Sequence, residues 1–255
     1  MAIYVTSDAH GHVRALDEAL SKISLASDDT LYVLGDMIDR GPDPLGVIKL
    51  VRSLPNAHVL KGNHEQIMLD AIIGQDPLDA ETWDINGGWT TREQLNDMEF
   101  EAYEELVRWM AGLPLYAVAE TEERPYLLVH AGIETEAARA FLLEHGVDCA
   151  DGAGATDADR ELLQQMLAVQ SSDDLLWIRH GYWDAPTGLL SAEGRGPVVV
   201  SGHTPTVSLG RYCEVGGLAG LDEESGRGQI VRLGGEDTAG VPDRIDIDCA
   251  AATGS

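Results

Sequence analysis

An α/β fold is predicted for this 255-residue chain, and three observations carry that prediction. Short apolar runs rich in β-branched residues alternate with amphipathic stretches through the first third. Their order is β-α-β-α-β, which requires a largely parallel sheet with helices laid over it. Apolar residues make up 44% of the sequence, enough for a substantial core and far from the composition of a disordered chain.

Each element has its own justification. Ile3–Thr6, Leu31–Leu34 and His58–Leu60 are predicted as buried strands, being short and bounded by Gly or polar residues. Between the first two, Val13, Leu16, Leu20 and Ile23 recur at helical spacing. Between the second and third, Leu45, Ile48, Val51 and Leu54 do the same, with Pro44 placed for a first helical turn. Residues 66–113 are predicted to be mostly helical, with a loop at Asn86-Gly87-Gly88. A strand follows at Tyr126–His130, and then a mainly helical stretch at about 134–180, broken by Asp151-Gly152-Ala153-Gly154. Pro197–Ser201 is strongly β-forming, and shorter strands are predicted at Arg211–Val215, Gln229–Leu233 and Arg244–Ile247. The tail from Ala250 to Ser255 is expected to fray. No repeat or linker interrupts the chain, so residues 1–255 are expected to form a single domain.

Composition narrows the function. Acidic residues outnumber basic ones 44 to 17, a formal charge of −27. Such a surface repels nucleic-acid backbones, so no nucleic-acid polymer is expected as a partner. Some of those carboxylates could instead be neutralised by divalent cations. Neither a signal-peptide pattern nor an apolar run of about 18 residues is seen, so the protein is expected to be cytoplasmic and off the membrane; a monomer is the working expectation, which these patterns do not bear on. Cys149, Cys213 and Cys249 are odd in number and lack metal-type spacing. They read as small core residues, which sets thiol-based catalysis aside.

The residues that carry chemistry sit at predicted strand ends: Asp8 and His10, Asp36, Asn63 with His64, His130, and His203. In an open α/β sheet, ligands bind beyond the carboxyl ends of the strands. Taken singly, each motif is weak: Asp-x-His recurs by chance, and a His after a buried strand is commonly structural. The ordered set of five is specific. A pair of divalent ions needs hard oxygens and imidazoles, with one carboxylate shared between them. Asp8 and His10 can turn toward one ion, Asp36 is placed to bridge, and Asn63, His130 and His203 complete the second. Trp83 and Trp89 could form a substrate wall, although aromatics in helical stretches are more often core. Asp246 and Asp248, alternating with Ile245 and Ile247, are expected on a wet strand face.

The set Asp8-Ala9-His10, Gly35-Asp36-Met37-Ile38-Asp39-Arg40-Gly41 and Gly62-Asn63-His64-Glu65, with the two later histidines, resembles the calcineurin-like metallophosphoesterases. Asp39-Arg40-Gly41 and Glu65 make it similar to their phosphoprotein phosphatase family. Asn86-Gly87-Gly88-Trp89, Leu113-Pro114-Leu115 and Leu176-Trp177-Ile178-Arg179 resemble its bacterial and bacteriophage lambda branch. The resemblance implies a four-layer sandwich of two mixed β-sheets flanked by helices. It implies that Asp8, His10 and Asp36 hold one metal, and that Asp36, Asn63, His130 and His203 hold the other. His64, oriented by Asp39, would protonate the leaving oxygen. Arg40 and Arg179 would grip the phosphate beside Asn63 and His64. Lys61 stands where the family usually has Arg, keeping the charge and losing the bidentate fork.

The expected activity is that of a two-metal phosphomonoesterase acting on phosphoserine or phosphothreonine by direct in-line attack of activated water. The substrate would be a phosphorylated protein or a small phosphoester. Manganese is the first expectation for the ions, with iron, zinc, nickel or magnesium as alternatives. A diadenosine tetraphosphate hydrolase is the runner-up within the same chemistry, and a catalytically silent metal-binding scaffold is the alternative from another class.

Overall fold

The structure, a computed structural model, describes all residues except 75, 216–219 and 254–255. The chain divides into two compact units, Met1–Pro114 with the C-terminal residues from Ala250, and Leu115–Cys249.

In the first unit, β1 (Ile3–Thr6), β2 (Thr30–Val33) and β3 (Ala57–Val59) form a sheet in that order. Both pairings are parallel, with Ile3 opposite Thr30 and Leu31 opposite Ala57. The crossovers are helices α1 (Val13–Ile23) and α2 (Pro44–Ser53), followed by α3 (Asn63–Ile73), α4 (Pro77–Ile85), α5 (Trp89–Asn96) and α6 (Phe100–Ala111). The apolar face of α2 buries Val47, Ile48 and Val51 in one cluster with Leu16 of α1 and Leu31 and Val33 of β2. Asp43 caps α2 by accepting from the Gly46 N–H at 2.9 Å, and Pro44 opens it without losing a needed donor. Three parallel strands put three carboxyl ends on one edge, and Asp8, Asp36 and Asn63 follow those ends.

Glu65 ties two of these ends together. Its carboxylate accepts from the backbone N–H groups of Asp36, Met37 and Gly62, each at 2.8 Å, so the turn after β2 is fastened to the turn after β3. The approach is close enough to demand glycine. Gly35 has φ +95°, and a β-carbon there would lie 2.3 Å from the Gly62 nitrogen.

In the second unit, β4 (Tyr116–Glu120), β5 (Pro125–Val129), β6 (Val198–Ser201), β7 (Val231–Leu233) and β8 (Arg244–Asp246) form a mixed sheet of order β4-β5-β6-β8-β7. Strands β5, β6 and β8 are parallel, while β4 and β7 pair antiparallel at the two edges. Helices α7 (Thr135–Glu144), α8 (Arg160–Ala168) and α9 (Ser172–Trp177) pack with this sheet through Ala138, Leu142, Leu163, Met166, Leu167 and Leu175. The fold is therefore α/β with two sheets flanked by helices, the first sheet parallel and the second mixed. No helix among the described residues is long and apolar enough to cross a membrane.

Two expectations need correction, and one strand lies where none was predicted. Arg211–Val215 is not a strand: a 3₁₀ helix spans Thr206–Arg211, and the amides of Tyr212 and Cys213 turn back to the Leu209 carbonyl. Strand β4 was not legible, because Ala117 and Ala119 favour helix, and its full pairing with β5 overrides that preference. The alternation at 245–248 is real but faces the other way, with Asp246 and Asp248 buried. Asp246 lies opposite Ser201 on a strand enclosed between two neighbours, and its carboxylate accepts from the Asp248 N–H at 3.0 Å. At the tail, Ala251–Thr253 form a 3₁₀ turn, and residues 254–255 lie outside those described.

Replacing Glu65 with Ala leaves three buried N–H groups without their acceptor. The expected loss is about 3–5 kcal/mol in urea unfolding, with a smaller loss for Glu65→Gln, which keeps one acceptor oxygen. A loss below about 1 kcal/mol for the alanine variant would show that the two turns are held by something else.

Candidate functional site

The first unit gathers seven of the predicted residues around the strand ends. Asp8, His10, Asp36, Asp39, Asn63 and His64 are each 3% exposed or less, whereas Arg40 is exposed. Ligand atoms of His10, Asp36 and His64 lie within 4.8 Å of one another. The imidazole Nε2 atoms of His10 and His64 stand 3.5 and 3.9 Å from the same oxygen, Asp36 Oδ2. The other oxygen, Oδ1, accepts the His64 backbone N–H at 3.0 Å, so the N-terminus of α3 aims its dipole at this carboxylate.

The backbone is strained here. Asp8, His10, Asp36, Asp39 and Arg40 all have φ between 40° and 69°, and His203 in the second unit has φ 65°. Left-handed conformations at residues other than glycine cost about 1–3 kcal/mol each and persist where surrounding bonds over-determine them. Those bonds are visible: His10 and Gly11 donate to the carbonyls of Asp36 and Met37, and Arg40 donates to the Gly87 carbonyl at 3.0 Å. In the first unit these turns accompany the convergence of His10, Asp36 and His64.

Charge is the second feature. Burial, with the neighbouring charges of Asp8 and Glu65, pushes the Asp36 carboxyl well above its usual range; the His64 amide and Arg40 oppose this only partly. Burial likewise raises Glu65, against three backbone hydrogen bonds. A protein that keeps Asp36 ionised at neutral pH needs positive charge beside it. The donors present are carboxylates, imidazoles and the Asn63 amide, a set suited to a hard or borderline divalent cation. His10, Asp36 and His64 present a donor set that fits a metal ion, and Asp8 lies near enough to raise the Asp36 carboxyl by its charge.

His64 and Arg40 form the other half of this cluster. His64 Nδ1 lies 2.7 Å from Asp39 Oδ2, which places a proton on Nδ1 and leaves Nε2 facing outward. Arg40 directs one terminal nitrogen to His64 Nε2 at 2.8 Å and the other to His10 Nε2 at 3.1 Å. Its fork is thus poised over the cluster.

In the second unit, His130 follows β5 and His203 follows β6, the two parallel strands placing both rings at one edge with centroids 5.0 Å apart. Arg179 reaches the His203 carbonyl at 3.3 Å, and Trp177 packs edge-on against the His203 ring. Lys61 instead contacts Gln66 Oε1 at 3.4 Å and the Ala111 carbonyl at 3.3 Å, and partial burial lowers its pKa. Burial pushes the Cys149 and Cys213 thiols up, in keeping with inert side chains. Trp83 is buried and Trp89 is 52% exposed. Sequence reading missed what Glu65, Trp83 and Thr91 do. For Glu65 there was a signal, since it stands at the third position of a helix whose cap is Gly62.

The calcineurin-like phosphoesterase family model matches residues 1–231. The chain is 31% identical over 219 residues to a symmetrical bis(5'-nucleosyl)-tetraphosphatase of Proteus mirabilis, covering 84% of this chain and 68% of that protein. It is 30% identical over 221 residues to the enzyme of the same name from Pectobacterium atrosepticum, covering 85% and 68%. Among solved structures, one of a protein assigned as a diadenosine tetraphosphatase superposes with a TM-score of 0.51 at 17% identity, covering 100% of this chain and 90% of that one; this likeness is one of fold. The relatives' names overturn the expectation of a phosphoserine/phosphothreonine phosphatase. The motifs that suggested it are those of the metal site, and they do not read the group attached to the phosphate.

Because the Asp36 pKa is raised by folding, its carboxyl contributes stability that is present below about pH 3.8 and lost as pH rises through the elevated value. Metal-free Asp36→Asn is therefore expected to melt above the metal-free native protein at pH 7, with the gap shrinking as pH falls toward 4. The variant should lose most of the thermal shift that added manganese gives the native protein. A metal-free variant that melts lower at pH 7 would contradict the electrostatic reading.

Proposed function

This chain belongs to the calcineurin-like phosphoesterase family and is a hydrolase of phosphate esters, and on that premise we propose that it splits dinucleoside tetraphosphates at the centre into two nucleoside diphosphates. The observation that carries the substrate is the identity to two tetraphosphatases over more than four fifths of the chain. The chemistry is carried by the buried carboxylates and imidazoles under an exposed guanidinium.

Asp8, His10 and Asp36 would hold one divalent cation, and Asn63, His130 and His203 are proposed as further ligands, with manganese the first ion to try. Such cations, when bound, supply an activated water and offset the charge of the phosphate oxygens. The side chains do the rest. Arg40 now rests on two imidazole nitrogens, a contact that a phosphate dianion outcompetes, since the guanidinium fork matches two phosphate oxygens bidentately. When Arg40 turns to substrate, His64 Nε2 is released to carry a proton. Asp39 on the opposite nitrogen fixes the ring.

Water adds to one central phosphorus, the P–O bond to the bridging oxygen breaks, and the departing nucleoside diphosphate leaves with that oxygen. His64 Nε2 is the donor within the cluster for a proton on the leaving atom. A diphosphate oxyanion is weakly basic, so this proton matters less for the tetraphosphate than for an alkyl phosphate.

With manganese present, the expected products from diadenosine tetraphosphate are two ADP, at a kcat/KM at least about tenfold above that for a phosphoserine peptide, a preference of ~1.4 kcal/mol. Release of ATP and AMP, or faster turnover of the peptide, would overturn the assignment. Arg40→Lys, which keeps charge and loses the fork, is expected to lower kcat/KM by about 10–100-fold.

A further inference from the structure

The Asp39 carboxylate is held by more than His64. Trp83 donates its indole N–H to Asp39, 3.0 Å from Oδ1 and 3.2 Å from Oδ2. Thr91 donates its hydroxyl to Oδ1 at 2.6 Å and accepts the Asp39 backbone N–H at 2.9 Å on the same oxygen. His64 completes the set on Oδ2 at 2.7 Å. Asp39 and Thr91 are wholly buried, Trp83 is 4% exposed and His64 is 1% exposed.

We propose that Trp83 and Thr91 are positioning residues for the proton donor, acting through Asp39: they hold its carboxylate aimed at His64 Nδ1. Asp39 sits at φ 69°, next to Arg40 at φ 64°, a strained turn that persists only where surrounding bonds hold it. Thr91 closes a ring of two hydrogen bonds that joins the Asp39 amide to its own carboxylate and so sets the side-chain torsion. A carboxylate removed from water is strongly destabilised unless donors replace its hydration. Trp83 and Thr91 supply two neutral donors that stand in for the water this buried carboxylate has lost.

The supporting segment is itself fixed. Gly88 packs so tightly on the indole that a β-carbon there would lie 2.1 Å from Trp83 Cδ1, and the Gly88 N–H bonds to the Trp83 carbonyl at 2.9 Å. One residue earlier, the Gly87 carbonyl accepts the Arg40 N–H at 3.0 Å. The stretch from Trp83 to Thr91 thus clamps both Asp39 and Arg40. It is an ordered support, supplied by α4, α5 and the turn between them.

This inference rests on the reading of His64 as proton donor, and the test separates the two. Trp83→Phe keeps the ring and removes the N–H, Thr91→Val keeps the shape and removes the hydroxyl, and Thr91→Ser restores the hydroxyl. Each is assayed with manganese on p-nitrophenyl phosphate, whose leaving group is weakly basic, and on an alkyl phosphate, whose leaving group is strongly basic; His64→Asn is the control. The expected result is that kcat on the alkyl ester falls at least about tenfold further than on the aryl ester for His64→Asn, Trp83→Phe and Thr91→Val, and that Thr91→Ser recovers most of it. A merely structural role would lower both substrates alike. Equal losses in Trp83→Phe and Thr91→Val, with the leaving-group split kept in His64→Asn, overturn the positioning role alone. A missing split in His64→Asn overturns the proton-donor reading and this inference with it. Should Thr91→Val fail to fold, Trp83→Phe and Thr91→Ser decide by the same ratio.

Discussion

Four carboxylates in the first unit, those of Asp8, Asp36, Asp39 and Glu65, are each exposed by 2% or less, and the architecture of the site follows from having to satisfy them. Ionised groups taken out of water require donors or counter-charges in their place. Glu65 is met by three backbone amides and so becomes a structural tie. Asp39 is met by an indole, a hydroxyl and an imidazole. Asp36 accepts the His64 amide and remains raised by burial and by the charges of Asp8 and Glu65. This difference sorts three chemically similar side chains, Glu65, Asp39 and Asp36, into a fastener, an orienting group and a candidate metal ligand. The left-handed turns at Asp8, His10, Asp36, Asp39 and Arg40 belong to the same constraint, since they bring these groups together against backbone preference.

The same account explains how so acidic a chain can act on a polyanion. A net charge of −27 repels a tetraphosphate at long range, and the repulsion is screened within about 8–10 Å at ordinary ionic strength. Attraction must then be local. Arg40 is placed to supply part of it from the protein, and cations bound at the buried donors would supply the remainder. Acidity elsewhere on the surface is compatible with this chemistry and discourages nucleic-acid polymers, whose many phosphates would all be repelled together.

Much of the framework was legible because its signals are local. Strand ends marked by Asp8, Asp36, Asn63, His130 and His203 were placed to within a residue by short β-branched runs and their flanking glycines. The helical stretch 66–113 and the break at Asn86-Gly87-Gly88 were likewise written in periodicity and turn chemistry. What escaped depends on contacts distant in sequence. Thr91 looks like any helical threonine until it meets Asp39, 52 positions away. Strand β4 contains helix-favouring alanines and exists because β5 pairs with it. Asp246 reads as solvent-facing by alternation, yet its strand is enclosed between neighbours. Substrate choice was misjudged for a related reason: the motifs describe the atoms around phosphorus, and those atoms are shared by esters and anhydrides alike.

The central claim is that the strained, acidic turns of the first unit exist to hold a divalent cation on Asp36. Crystals grown with manganese and measured at its absorption edge test it most directly. The account predicts an anomalous peak about 2.0–2.3 Å from a carboxylate oxygen of Asp36, with Asp8 and His10 in the same coordination sphere. A fully loaded crystal whose anomalous peaks all lie away from Asp36 would contradict it.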